Sequence, residues 1–126
     1  MKKIDLGVAK AMVGHYAETR KKVLDSAHKI NDTTSIWFSA DDIRELVKDL
    51  DSGASGVRIY LASHDTTHPE TPNQTTIVAI GTTEDSSGNH VDKLAGHTDA
   101  GMFEPRNNGK ICPPNCPPPP PPPPNQ

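Results

Sequence analysis

"IWFSADDIRELVKDLDSGASGVRIYLAS", residues 36–63, decides the fold class, because a helical pattern stands between two strand-forming runs. "IWFS" (36–39) predicts a short strand that feeds a helix. Ser39 sits where an N-cap belongs, and Asp41 and Asp42 place negative charge on the first turn. Ile43, Leu46, Val47 and Leu50 then recur at helical spacing and define an apolar face. "DSGASG" closes the helix with glycines. "VRIYLAS" (57–63) alternates, with Val57, Ile59 and Leu61 on one face and Arg58 and Tyr60 on the other.

Upstream, "DLGVAKAMVGHYAETRKKVLDSAH", from Asp5 to about residue 28, predicts a leading helix. Val8, Ala9, Met12, Val13 and Tyr16 form its stripe, and Val23, Leu24 and Ala27 resume it two turns later. Asp5 is the expected N-cap. Gly7 and Gly14 each weaken the helix by about 1 kcal/mol relative to alanine. "INDTTS" then breaks the pattern with turn formers. Downstream, "TTIVAIGTT" (75–83) is a second β-rich run, separated from the first by the polar "HDTTHPETPNQ". That loop is too long for a tight hairpin, yet antiparallel pairing is expected, with the helices on one face. Beyond residue 83 periodicity fades, with short strands expected near Val91 and Met102–Phe103 and a turn at Asn108-Gly109. The expected fold is therefore α+β: two helices packed on a small, mainly antiparallel sheet in the order α-β-α-β-β. A loop-rich C-terminal part and a polyproline II tail follow. The expected division is a domain over residues 1–111 and a Cys/Pro-rich tail over 112–126.

Apolar residues make up 33% of the 126 and aromatics only 4%, a thin supply for a core. A core that thin makes burial against another subunit a reasonable expectation. Charge is unevenly spread. Residues 1–30 hold seven Lys/Arg against three Asp/Glu, while the remainder holds six against thirteen. A solvated helix face explains this, as does a contact between copies. The basic segment is short and only Tyr16 interleaves with it, which argues against nucleic acid. No apolar run is long enough for a membrane span, and the start lacks the continuous apolar stretch of a secretory signal. The expected location is cytoplasmic.

The order of the pieces resembles a group of small uncharacterised proteins of Bacteroidetes type. The likeness rests on "HYAETR", "SIWFSADDIRELV", "GVRIYLAS" and "NGKICPPNCPP", across roughly residues 5–117. It implies the order α-β-α-β-β and a Cys-Pro-Pro-x-Cys feature. It lends no activity, cofactor or catalytic residue, and the octaproline run is longer than that pattern requires.

The tail "CPPNCPPPPPPPPNQ" (112–126) carries most of the functional reading. Pro117, Pro118, Pro119, Pro120, Pro121, Pro122, Pro123 and Pro124 predict a polyproline II rod of roughly 25 Å, since proline fixes φ and each residue adds about 3.1 Å. Such a rod has little entropy left to lose on docking, which suits an aromatic-lined groove. A solubilising appendage is the plain alternative. For Cys112 and Cys116 four readings compete. A disulfide across three intervening residues is awkward and is disfavoured in a reducing cytoplasm. Zinc prefers closer cysteine spacing and four ligands. A redox pair wants a Cys-x-x-Cys at a helix start. The preferred reading makes Cys112 a small core hydrophobe beside Ile111, with the prolines turning the chain outward.

His64 and His68 complete a Cys2His2 zinc set only if their loop folds beside the root of the tail. His90 and His97, with Asp92 and Asp99, form a second polar cluster that an ordinary loop also explains. Ser63-His64-Asp65 is no catalytic relay, because neighbours on a strand point to opposite faces. Trp37 reads as a packing residue, and Arg58 and Tyr60 as either a binding surface or cross-strand packing. The leading expectation is a non-enzymatic interaction or self-assembly module. Its partners are further copies of itself, as a homo-oligomer, or a protein with a polyproline-binding groove. A zinc module comes second, and a small hydrolase a distant third.

Overall fold

Helix formation at the N-terminus begins where Asp5 stops the extended chain. Its carboxylate accepts the Gly7 N–H at 2.7 Å. The computed structural model describes residues 1–51, 53–93, 106–107 and 109–118. From the cap runs α1 (Leu6–Tyr16), then a π-helical turn over Ala17–Lys21, then α2 (Lys22–His28). The backbone stays right-handed through both junctions, so these segments form one rod. At the bulge, the Thr19 hydroxyl donates to the His15 carbonyl at 2.6 Å, the kind of back-bonding that disturbs a helical ladder. Lys29 ends the rod in a left-handed conformation, φ 53°.

The expected helix is therefore present, but its stripe does not form a core. Val8, Met12, Val13 and Val23 are exposed, and only Ala9, Tyr16 and Leu24 of the predicted apolar set are half-buried. The second helix, α3 (Ala40–Asp51), is capped reciprocally. Asp42 N–H donates to Ser39 Oγ at 3.0 Å, and Ser39 N–H to Asp42 Oδ2 at 3.1 Å.

Among the described residues, five strands form two sheets. β1 (Ser35–Trp37) pairs antiparallel with β5 (Lys110–Cys112), placing Ile36 opposite Ile111. β2 (Gly56–Ser63), β3 (Thr75–Glu84) and β4 (His90–Asp92) form the other sheet, in that order and antiparallel throughout. The long loop between β2 and β3 does not prevent pairing, and all eight residues of β2 find partners on β3. A tight turn joins β3 to β4. Asp85 Oδ1 accepts the N–H groups of Ser87 and Asn89, and Gly88 takes the φ of 82° that the turn demands. Register puts Val57, Ile59 and Leu61 on one sheet face with Ile77 and Ala79. Ile43 and Leu46 of α3, together with Phe38, line a cleft of about 330 Å³ with that face. Tyr16 and Leu24 of the rod meet the same face further along. Both helices thus serve one side of the sheet. The strand expected at Met102–Phe103 and the turn residue Asn108 lie outside the described residues.

The deepest positions are mixed in character. Ala79, Ile80, Ile111 and Cys112 are buried, but so are Asp32, Thr33, Thr71, Gln74, Thr76 and Thr82. Asp32, 1% exposed, accepts from Thr75 N–H at 2.7 Å and Thr75 Oγ1 at 2.6 Å, while its own N–H donates to Asp25 Oδ1 at 2.6 Å. Lys21 pairs with Asp25 from the rod side. Thr33 donates its hydroxyl to the Thr75 carbonyl, and Thr34 N–H donates to the Cys112 carbonyl at 2.7 Å. The foot of the rod, the start of β3 and the end of β5 are thereby tied into one polar junction. Burial, with Asp32 near by, pushes the Tyr16 phenol above its ordinary value.

Candidate interaction surface

β5 delivers the chain to the root of the tail. Ile111 is 2% exposed and anchors the strand. Gly109 precedes it at a point of close approach, where an added methyl would overlap Ile36 and Phe38. Past Cys112, a tight turn closes with Asn115 N–H to the Ile111 carbonyl at 2.9 Å and Cys116 N–H to the Pro114 carbonyl at 3.0 Å. The turn brings the two cysteine Cα atoms to 4.5 Å, and their sulfurs are bonded. This corrects the reading of Cys112 as a free thiol. Its burial beside Ile111 is as expected, but the turn folds tightly enough to supply the geometry that a disulfide needs. The Pro113 carbonyl still belongs to the body, accepting from Gln74 Nε2 at 3.0 Å. Pro117 and Pro118 then leave exposed, and Pro119–Pro124 lie outside the described residues.

Trp37 stands at that exit. It is 56% exposed, and with Lys110, Asn115, Cys116 and Pro117 it lines an open groove. The expectation of a packing residue fails here. β1 is only three residues long, and it sets a half-buried Ile36 opposite Ile111 while turning its neighbours outward. The Lys110 ammonium lies 5.4 Å from the Trp37 ring centroid, within cation–π range.

The His64–Gln74 loop folds against the same root. Asp65 organises it by accepting from Thr67 N–H and Oγ1 at 2.9 and 2.8 Å, and those bonds hold its carboxyl below the usual range. The His64 and His68 rings stack at 3.7 Å, and each Nδ1 lies about 3 Å from Thr71 Oγ1. Both rings share a cleft with Ile111 and Asn115, so the loop does reach the tail. Of the zinc set, His64 and His68 are brought together, whereas Cys112 and Cys116 are bonded to each other. Among the described residues, no three His, Cys, Asp or Glu side chains gather as a metal site.

On the opposite sheet face, Arg58 and Tyr60 are engaged across the sheet. Arg58 Nη1 and the Tyr60 hydroxyl both bond the Asp92 carboxylate, and Arg58 Nη2 donates to the His90 carbonyl at 2.9 Å. The Asp92 carboxylate raises the Arg58 and Tyr60 values alike. Ser55 Oγ meets His90 Nδ1 at 3.0 Å, a serine–histidine contact that sequence spacing did not flag because 35 residues separate the two. Asp92 is turned away from it, toward Arg58 and Tyr60. Ser63, His64 and Asp65 do not form a relay, since His64 faces Thr71 and Asp65 faces Thr67. His97 and Asp99 lie outside the described residues.

The remaining feature is β2 itself. It is the edge of its sheet, with Ile59 60% exposed and Leu61 85% exposed. No helix among the described residues is long and apolar enough to cross a membrane. Searched against protein families, curated proteins and solved structures, the chain matches none.

Proposed function

We propose that this chain is a non-enzymatic interaction and self-assembly module, whose Pro117–Pro124 rod docks on a partner protein or a neighbouring subunit. The observation behind this reading is the exit of Pro117 and Pro118, exposed, from a covalently closed turn beside the exposed Trp37. The disulfide and the buried strand hold the root of this segment, up to Pro117 and Pro118, on the body. A neighbouring copy offers an aromatic of the type that polyproline grooves use. Removing residues 117–126 tests the proposal. Oligomer size by light scattering, or capture of a polyproline-binding domain, should fall; no change in either removes the tail's role.

A zinc-binding module is the second reading, favoured by the stacked His64 and His68 sharing a cleft with the tail root. It requires Cys112 and Cys116 as thiolates. Elemental analysis of protein purified under reducing conditions without added metal decides it, and absence of zinc ends it. The redox state of this pair also bears on location. A cytoplasmic protein would carry thiols here, and a persistent disulfide requires an oxidising compartment. Thiol titration of protein taken directly from cells separates the two.

A further inference from the structure

The hydrogen-bond register of β2 leaves half of its backbone directed away from the sheet. His64 N–H donates to the Gln74 carbonyl, so even-numbered residues of this strand face β3 in the antiparallel ladder. On β3, the complementary odd-numbered residues bond on the other side, Ala79 with Arg106 and Gly81 with Lys93. By the same alternation Val57, Ile59, Leu61 and Ser63 turn their N–H and C=O groups outward along an edge that no described strand covers. Their side chains share the apolar face, and Ile59 and Leu61 are its most exposed members on β2. Of the devices that blunt natural edges, the strand carries no proline and no lysine, and its one charge is Arg58.

We propose that β2 pairs antiparallel with β2 of a second copy across a twofold axis, joining two three-stranded sheets into one of six. Pairing of outward groups requires odd-numbered residues to face odd-numbered residues. Of the registers this allows, those that set Ile59 against its own counterpart or against Leu61 of the second copy place apolar on apolar and keep the two Arg58 residues from facing each other. The same strand serves both sides of the axis because its outward positions 57, 59 and 61 are apolar in either direction. Its one charge, Arg58, is already held by Asp92, so like charges do not oppose each other across the axis. This inference deepens the self-assembly reading and rests on it, but it uses a surface separate from the tail.

Sedimentation of the full chain should give the mass of two copies rather than the 13.6 kDa of one. Ile59→Lys and Leu61→Lys, at exposed positions, should keep the circular dichroism of the parent while weakening the dimer about tenfold or more. A second measurement leaves the parent pairing intact. Ile59→Cys alone, or mixed with Leu61→Cys, should be joined between copies by a short thiol-to-thiol crosslinker. A monomer at all concentrations overturns the proposal. So does a dimer that survives both lysine variants and joins at neither position. Loss of the dimer on deleting residues 117–126, with the lysine variants unaffected, overturns the β2 contact and leaves the tail's role standing. The reverse pattern keeps the β2 contact and removes the tail's part in it.

Discussion

Along the rod, Val8, Met12, Val13 and Val23 stand in solvent, whereas Asp32 and Thr33 just beyond its foot, and Gln74 and Thr76 around the start of β3, are buried. The usual placement of apolar and polar side chains is reversed between these two regions. In the junction, burial is tolerated because hydrogen bonds replace water. No buried side-chain nitrogen or oxygen among the described residues lacks a partner. A satisfied polar network is directional, so it fixes which segments meet, while the rod's exposed methyl groups add nothing until a surface covers them. Within one chain, the polar junction holds the rod, β3 and β5 in place, while the rod's apolar stripe is left exposed.

The contrast makes sharp predictions. Asp32→Ala strands the Thr75 N–H and hydroxyl in a buried site and should destabilise by about 3 kcal/mol in urea denaturation, with Asp32→Asn falling between. A loss under about 1 kcal/mol would mean the junction does not hold the fold together. Gly109→Ala should lower stability by about 1–3 kcal/mol, because the new methyl has nowhere to go between Ile36 and Phe38. Unchanged melting would show that β5 shifts freely.

Acid should loosen the same junction more gently. Bonds from Lys21 and from the Asp32 amide hold the Asp25 carboxyl below its ordinary value. Its stabilising effect is thus complete above the unfolded value of about 3.9 and fades as pH falls through the lower folded one. Urea midpoints measured at neutral pH and near pH 3 should differ less in Asp25→Asn than in the parent. Equal slopes would contradict the assignment. The smallest effect belongs to the rod. Met12→Lys or Val13→Lys should leave stability of the dilute chain within about 0.5 kcal/mol, since neither side chain is buried. A large loss would reveal that the stripe is already covered in solution.

What could be read from residues alone follows from how local the cause is. The caps at Asp5 and Ser39 lie within three residues of the groups they bind, and the strands announce themselves by alternation. The α+β class and the antiparallel β2–β3 pair were accordingly legible. The β1–β5 pairing was not, because Ile36 and Ile111 lie 75 positions apart and β5 is only three residues long. Trp37 and the rod's stripe were misplaced for a related reason. Periodicity reports which side chains share a face, but not whether anything comes to cover it. The disulfide was misjudged because spacing was weighed without the turn that brings Cys116 back to Cys112.

That sulfur link also determines how a tug on the C-terminal arm enters the molecule. Tension drawn through Pro117 reaches Cys116, crosses to Cys112 and bypasses the three residues between. It arrives at the end of β5, where the Thr34 amide and the two-strand ladder receive it. The arm is moored to a strand whose Ile111 and Cys112 are buried rather than to a loose loop, which suits it to carry load.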